Sequence, residues 1–180
     1  MKLTLSSLLF VVAALALWLT LGLGQPIPRG NTDPQQQLIS TYLDHAEMVR
    51  FDGTGRQQET LTVARAEQYA NTNVSRLQNI MATSTSAAEH PWQLQAERGE
   101  YHHDTATLEL HNNVIVDDLE NGGRLVTDKL TVKPDLHLAL TEAAVTLTSS
   151  DTVTTAVGMR ANWDKQHVFL HQDVETHYAR

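Results

Sequence analysis

The segment WQLQAERGEYHHDTATLELHNNV, residues 92–114, decides the fold. Trp92, Leu94 and Ala96 alternate with Gln93, Gln95 and Glu97, and Leu108 and Leu110 alternate with Thr107, Glu109 and His111. A two-residue period produces a strand with one buried and one wet face. His103-Asp104 lies between the two runs and carries turn chemistry, so the segment reads as an antiparallel hairpin.

The hairpin is one of a set. Ala96-x-x-Gly99-x-Tyr101 is followed by Val114, Thr127-x-x-Leu130-x-Val132 by Val145, and Ala156-x-x-Met159-x-Ala161 by Val174. The closing stretch Leu108-Glu-Leu-His-Asn-Asn-Val114 parallels Val168-Phe-Leu-His-Gln-Asp-Val174, and a looser first copy starts at Ala64-x-x-Glu67-x-Tyr69. Such internal repetition predicts stacked antiparallel hairpins around a shared apolar interior. Leu136, Leu138 and Leu140 against His137 and Thr141 predict a further strand. Turn signals stand at Asp52-Gly53, Asn71-Thr72-Asn73, Asn121-Gly122-Gly123, Pro134-Asp135 and Asp164-Lys165. Residues 38–48 and 63–69 have a helix-compatible pattern and are read as extended.

Toward the N-terminus the pattern changes. Residues 8–23, LLFVVAALALWLTLGL, are almost wholly apolar, and no charge interrupts residues 3–28. About 20 helical residues cross the roughly 30 Å hydrocarbon layer, so residues 1–24 read as a transmembrane anchor; a cleaved signal ending at Gly24 is the rival. Lys2 orients the N-terminus toward the cytoplasm. Residues 25–37 contain Pro26, Pro28, Pro34 and Gly30 and read as an extended linker, leaving residues 38–180 as the β domain.

Charge and composition exclude several function classes. The formal net charge of −8 makes a surface that repels phosphate backbones, so nucleic acid is not expected as a partner. Without cysteine there is no thiolate nucleophile and no Cys-ligated zinc. His102-His103-Asp104 falls at a turn whose neighbouring side chains diverge, while His167 and His171 lie too far apart along a strand for one ion. His111 and His171 occupy equivalent polar-face positions of the repeat. No nucleophile elbow, phosphate loop or HExxH motif occurs, so no cofactor and no catalytic set is expected. A glycan hydrolase would need paired carboxylates on one concave face; Asp117-Asp118 and Glu97 with Glu100 instead flank turns or face solvent. The apolar face has two readings. Leu94, Leu110, Val132, Leu140, Val145, Met159 and Leu170 form either a closed sandwich core or the lining of a groove for acyl chains.

The order of these elements resembles the LptC family of lipopolysaccharide-export proteins. The likeness rests on the span and linker, Phe51-Asp-Gly-x-Gly-Arg, Ala64-x-x-x-x-Tyr69, Pro91-Trp92-x-Leu-x-Ala96-x-x-Gly-x-Tyr101 and Leu108-x-Leu-x-x-x-Val114. Arg124-x-x-Thr127, Gly158-Met159-Arg160-Ala161 and Leu170-x-x-x-Val174-x-x-x-Tyr178 complete it. It implies an all-β, open β-jellyroll of stacked antiparallel strands, OstA-like, preceded by one transmembrane helix in the bacterial inner membrane with the domain in the periplasm. The implied activity is non-enzymatic. Lipopolysaccharide would come from an inner-membrane ABC transporter, be held by its acyl chains between the sheets, and pass to a periplasmic bridge protein of similar fold. Mapped onto inward positions, the lipid-binding residues are Leu77, Trp92, Leu94, Leu108, Leu110, Met159, Val168 and Leu170. The transporter would meet the N-terminal edge, about residues 42–52, and the bridge protein the C-terminal edge, about residues 166–178. The alternative is a protein-only assembly scaffold with a closed β core.

Overall fold

The computed structural model describes residues 39–70, 72–84, 91–162, 165 and 167–178. The anchor and linker expected over residues 1–37 lie outside them, as do turn residues Asn71 and Asp164. The described residues form nine strands: β1 (Ile39–Phe51), β2 (Gln57–Tyr69), β3 (Val74–Ser84), β4 (Trp92–His102), β5 (Thr107–Asp118), β6 (Arg124–Lys133), β7 (Leu138–Thr148), β8 (Thr152–Asn162) and β9 (His167–Tyr178). They pair antiparallel in sequence order within one sheet, leaving β1 and β9 as its edges. Both helix-compatible stretches are strands, in β1 and β2.

Side-chain hydrogen bonds explain the tight turns. Asp52 Oδ1 accepts from Thr54 N at 2.7 Å, Thr54 Oγ1 at 2.6 Å and Arg56 N at 3.0 Å, holding the Asp52 carboxyl below its ordinary pKa, chiefly through the Thr54 hydroxyl. Asp118 Oδ1 accepts from Glu120 N and Asn121 N, both at 3.0 Å, ahead of Gly122 at φ +69°. These are Asx turns, in which a short carboxylate replaces the next strand's backbone acceptor.

A lone sheet leaves both faces wet, and the only helical segment among the described residues is a single 3-10 turn, Pro134–Leu136. Yet Leu77, Leu94, Leu108, Leu110, Leu130 and Met159 are at most 2% exposed. The sheet therefore covers itself, folding into two layers along a seam that crosses the strands near their midpoints.

The seam is written in the register. Regular pairing breaks between Gln95 and Arg98, His111 and Val114, Thr127 and Thr131, Thr141 and Ala144, and Thr155 and Val157. His45, Asn79, Asn112, Asn113, Gly158 and Asp173 have positive φ along the same line. Each kink resets the pleat. On β4 the inward set is Trp92, Leu94 and Ala96 before the seam and Gly99 and Tyr101 after it, all buried. An unkinked strand would turn a residue three positions on toward the opposite face. The spacing i, i+3, i+5 that marks the repeat is thus the signature of an inward face carried across a bulge.

Side chains at the seam bind freed backbone groups and one another. Asn112 and Asn113 donate through Nδ2 to the Glu97 carboxylate, Thr127 Oγ1 donates to Ala144 O at 2.8 Å, and Ala143 N donates to Thr141 Oγ1 at 3.1 Å. Asn and Asp enter the left-handed region at lower cost than most residues, and Gly at none.

Two expected phases are corrected. Leu136 lies in the 3-10 turn and is 59% exposed; His137 then takes φ +52°, and β7 buries Ala139 and Thr141 while Leu138 and Leu140 are half-buried. In β2 the inward residues are Glu59, Leu61, Val63 and then Ala66, so the first repeat runs one residue earlier than Ala64, Glu67 and Tyr69 suggest. Tyr69 belongs to the outer face, where its hydroxyl donates to Glu67 at 2.8 Å and its ring lies 4.9 Å beneath the Arg76 guanidinium.

Gly158 tests the seam. At φ +80° a side chain is strained, and a Cβ there would lie 2.9 Å from His171 Nδ1. Gly158→Ala is expected to lower unfolding free energy by about 1–2 kcal/mol in urea titrations. Gly53→Ala, with open space around it, should cost less than about 0.5 kcal/mol.

Candidate functional site

The interior between the layers is the one region where the described apolar residues converge. On one side of the seam, directly paired positions run Met48, Leu61, Ala82, Leu94, Val116 and Leu125 from β1 to β6. On the other side, Leu43, Ala66, Leu77, Gly99, Leu110 and Leu130 run over the same strands, with Met159 and Leu170 paired on β8 and β9.

The eight residues mapped from the sequence divide between these layers. Trp92 and Leu94 belong to the first; Leu77, Leu108, Leu110, Met159, Val168 and Leu170 belong to the second. All eight face inward. Six are essentially inaccessible to solvent, from 0% at Leu110 to 2% at Leu94, and belong to one packed cluster. Val168 and Leu170 are half-buried against the rim because β9 has no strand beyond it. Gly99 explains part of the tight packing: a Cβ there would meet Ile80 Cδ1 at 2.6 Å. Of the core expected from the pattern, Leu140 is displaced by the shifted phase of β7, with Ala139 and Thr141 in its place.

Burial falls toward both edges. Along the second layer, Leu43 on β1 is 40% exposed while Leu77, Leu110 and Leu130 are at most 1% exposed. Val174, the β9 counterpart of buried Val114, is 51% exposed. The edge strands also carry exposed Tyr42 and Phe51 on β1 and Phe169 and Tyr178 on β9.

Polar groups at the interior are few and largely engaged. Ser75 Oγ lies 2.9 Å from His103 Nε2, and the Tyr101 ring meets the His103 ring edge-on at 4.9 Å. Burial pushes the His103 pKa below its ordinary value, opposed by Asp104. The turn histidine is therefore a packing residue, more enclosed than turn placement implies. Outside, Asp117 receives both Arg124 Nε and Nη2, and Glu109 receives Lys129 Nζ at 3.0 Å, which lowers the Glu109 pKa. Glu100 pairs with Arg76 at 3.2 Å. These carboxylates serve turns and surface pairs. Among the described residues no group of three His, Asp or Glu side chains converges as a metal site.

Sequence reasoning missed the inward polar residues Arg50, Glu59 and Ser84, directly paired across β1 to β3 in a row that ends at the expected Trp92 on β4. Its alternation with Met48, Leu61, Ala82 and Leu94 was the available signal.

The family described as lipopolysaccharide-assembly, LptC-related, matches the chain over residues 8–179. A search of curated proteins finds no match.

Two outcomes check the geometry. Leu110→Ala should cost about 2–5 kcal/mol of stability and half-buried Leu170→Ala clearly less, measured by urea unfolding. His103 binds protons more weakly folded than unfolded, so stability is full above the ordinary value of 6.5 and declines as pH falls below it. Melting temperatures between pH 7.5 and 5.5 should fall, and His103→Gln should flatten that slope.

Proposed function

The chain belongs to the LptC-related family of lipopolysaccharide-assembly proteins, and on that premise we propose that its interior carries the acyl chains of lipopolysaccharide from one sheet edge to the other. Membership gives a role in lipopolysaccharide transport, in a lipid-transport family that is not enzymatic. The finer steps are our reading. An inner-membrane ABC transporter delivers the lipid at the β1 edge, and a periplasmic bridge protein of the same fold takes it at the β9 edge. Residues 1–24 anchor the chain as a single pass in the inner membrane, residues 25–37 link it, and the domain stands in the periplasm.

One observation carries this proposal: the apolar row is sealed in its middle and loses burial at each end, at Leu43, which is 40% exposed, and at half-buried Leu170. A hydrocarbon chain entering beside Leu43 meets Leu77, Leu110, Met159 and Leu170 in turn. Each methylene that trades water for this interior contributes about 0.8 kcal/mol, which offsets separation of the packed layers. The seam suits such separation because its kinks already interrupt the ladders. At the edges, unpaired backbone N–H and C=O groups beside Tyr42, Phe51, Phe169 and Tyr178 favour addition of a strand from another chain. Driving energy comes from ATP hydrolysis in the transporter, and this domain supplies a passive path.

The near-zero exposure of Leu108, Leu110 and Val132 favours a second reading, a closed scaffold that binds only proteins. The readings part in one measurement. Full chain extracted from cells should carry lipopolysaccharide detectable by mass spectrometry, and Leu94→Arg or Leu170→Arg should remove most of it while membrane targeting persists. Lipid content that is nil in the parent favours the scaffold, and lipid unchanged in both variants counts against the interior path.

A further inference from the structure

The missed polar row has an imbalance of donors. Trp92 is 1% exposed, and its indole Nε1–H has no hydrogen-bond partner; Arg50 Nε, three strands along the same row, is also buried and without one. Between them the other groups are engaged. Arg50 Nη2 donates to Glu59 Oε1 at 2.7 Å, and Ser84 Oγ donates to Gln58 O at 3.3 Å. A buried donor left without an acceptor costs roughly 1–3 kcal/mol, so two of them on one inward row mark a place fitted to something else.

From this we infer that the row is a polar subsite for the carbonyl oxygens of acylated amphiphiles, with Trp92 as its principal donor and Arg50 Nε as the second. The inference rests on the acyl-chain reading above and deepens it. Both orphan groups are donors only, so the ligand atom is an acceptor. Glu59 offsets the charge of Arg50, which disfavours a phosphate and favours the neutral oxygen of an ester or amide. The next inward row, Leu61, Ala82 and Leu94, is apolar and would take the first carbons of the attached chain. An amphiphile held this way has its acyl linkage registered at one end of the interior, which fixes how deeply its chain lies.

The test uses the full chain in alkyl-maltoside micelles, whose own chains carry no carbonyl. Trp18→Phe and Trp163→Phe leave Trp92 as the only indole, and its N–H resonance is followed during titration with N-tetradecanoylglucosamine and with an alkyl ether of matched length. A downfield shift with the amide and none with the ether is expected. Trp92→Phe should weaken amide binding about five- to tenfold and leave ether binding unchanged, the size of one hydrogen bond. Binding of both amphiphiles with an unmoved resonance, or equal weakening of both by Trp92→Phe, would overturn the subsite and leave the acyl-chain path standing. Failure of both to bind would overturn the two together.

Discussion

A single antiparallel sheet has no second layer against which to bury its apolar face, and this chain meets that constraint by folding the sheet on itself. Everything else follows from the seam. It converts each long strand into two short inward runs, so Ala96 and Gly99, or Thr127 and Leu130, face the same interior despite their three-residue spacing. Closure along one line leaves the two edges, β1 and β9, unsealed. A sandwich made from separate sheets would have no such continuity from first strand to last. The apolar path and the available edges are consequences of one bend.

Much of this is legible in the sequence. Strict alternation around Trp92 and Leu108 located β4 and β5, the Asp- and Gly-rich turns separated the strands, and the repeat indicated one recurring hairpin. Errors arose where a kink reset the pleat without a local sign. His137 adopts positive φ after a 3-10 turn, so the leucines at 136, 138 and 140 lost their shared face to Ala139 and Thr141. The first repeat was misphased because Tyr69 matches Tyr101 in type while lying on the wet face under Arg76. Identity of side chain misled where register decided.

The candidate site was legible as a face and not as a state. All eight mapped residues point inward, because face is set by period. Whether that interior is packed or parted depends on side-chain volumes across two layers, which period does not encode. The polar row escaped notice for a related reason: Arg50, Glu59 and Ser84 are inward only when strand pairing brings them beside Trp92. Read singly, each resembles a surface residue. Together they give one end of a greasy interior a chemical orientation.

The central claim is that hydrocarbon enters between the two layers, and the most direct measurement is photo-crosslinking in intact cells from paired neighbours on β5. A photoreactive residue at Leu110 faces the interior, whereas one at Glu109 faces solvent beside Lys129. The account predicts a lipopolysaccharide adduct from position 110 and none from position 109. Equal adducts at both, or adducts at 110 that contain only protein, would contradict it.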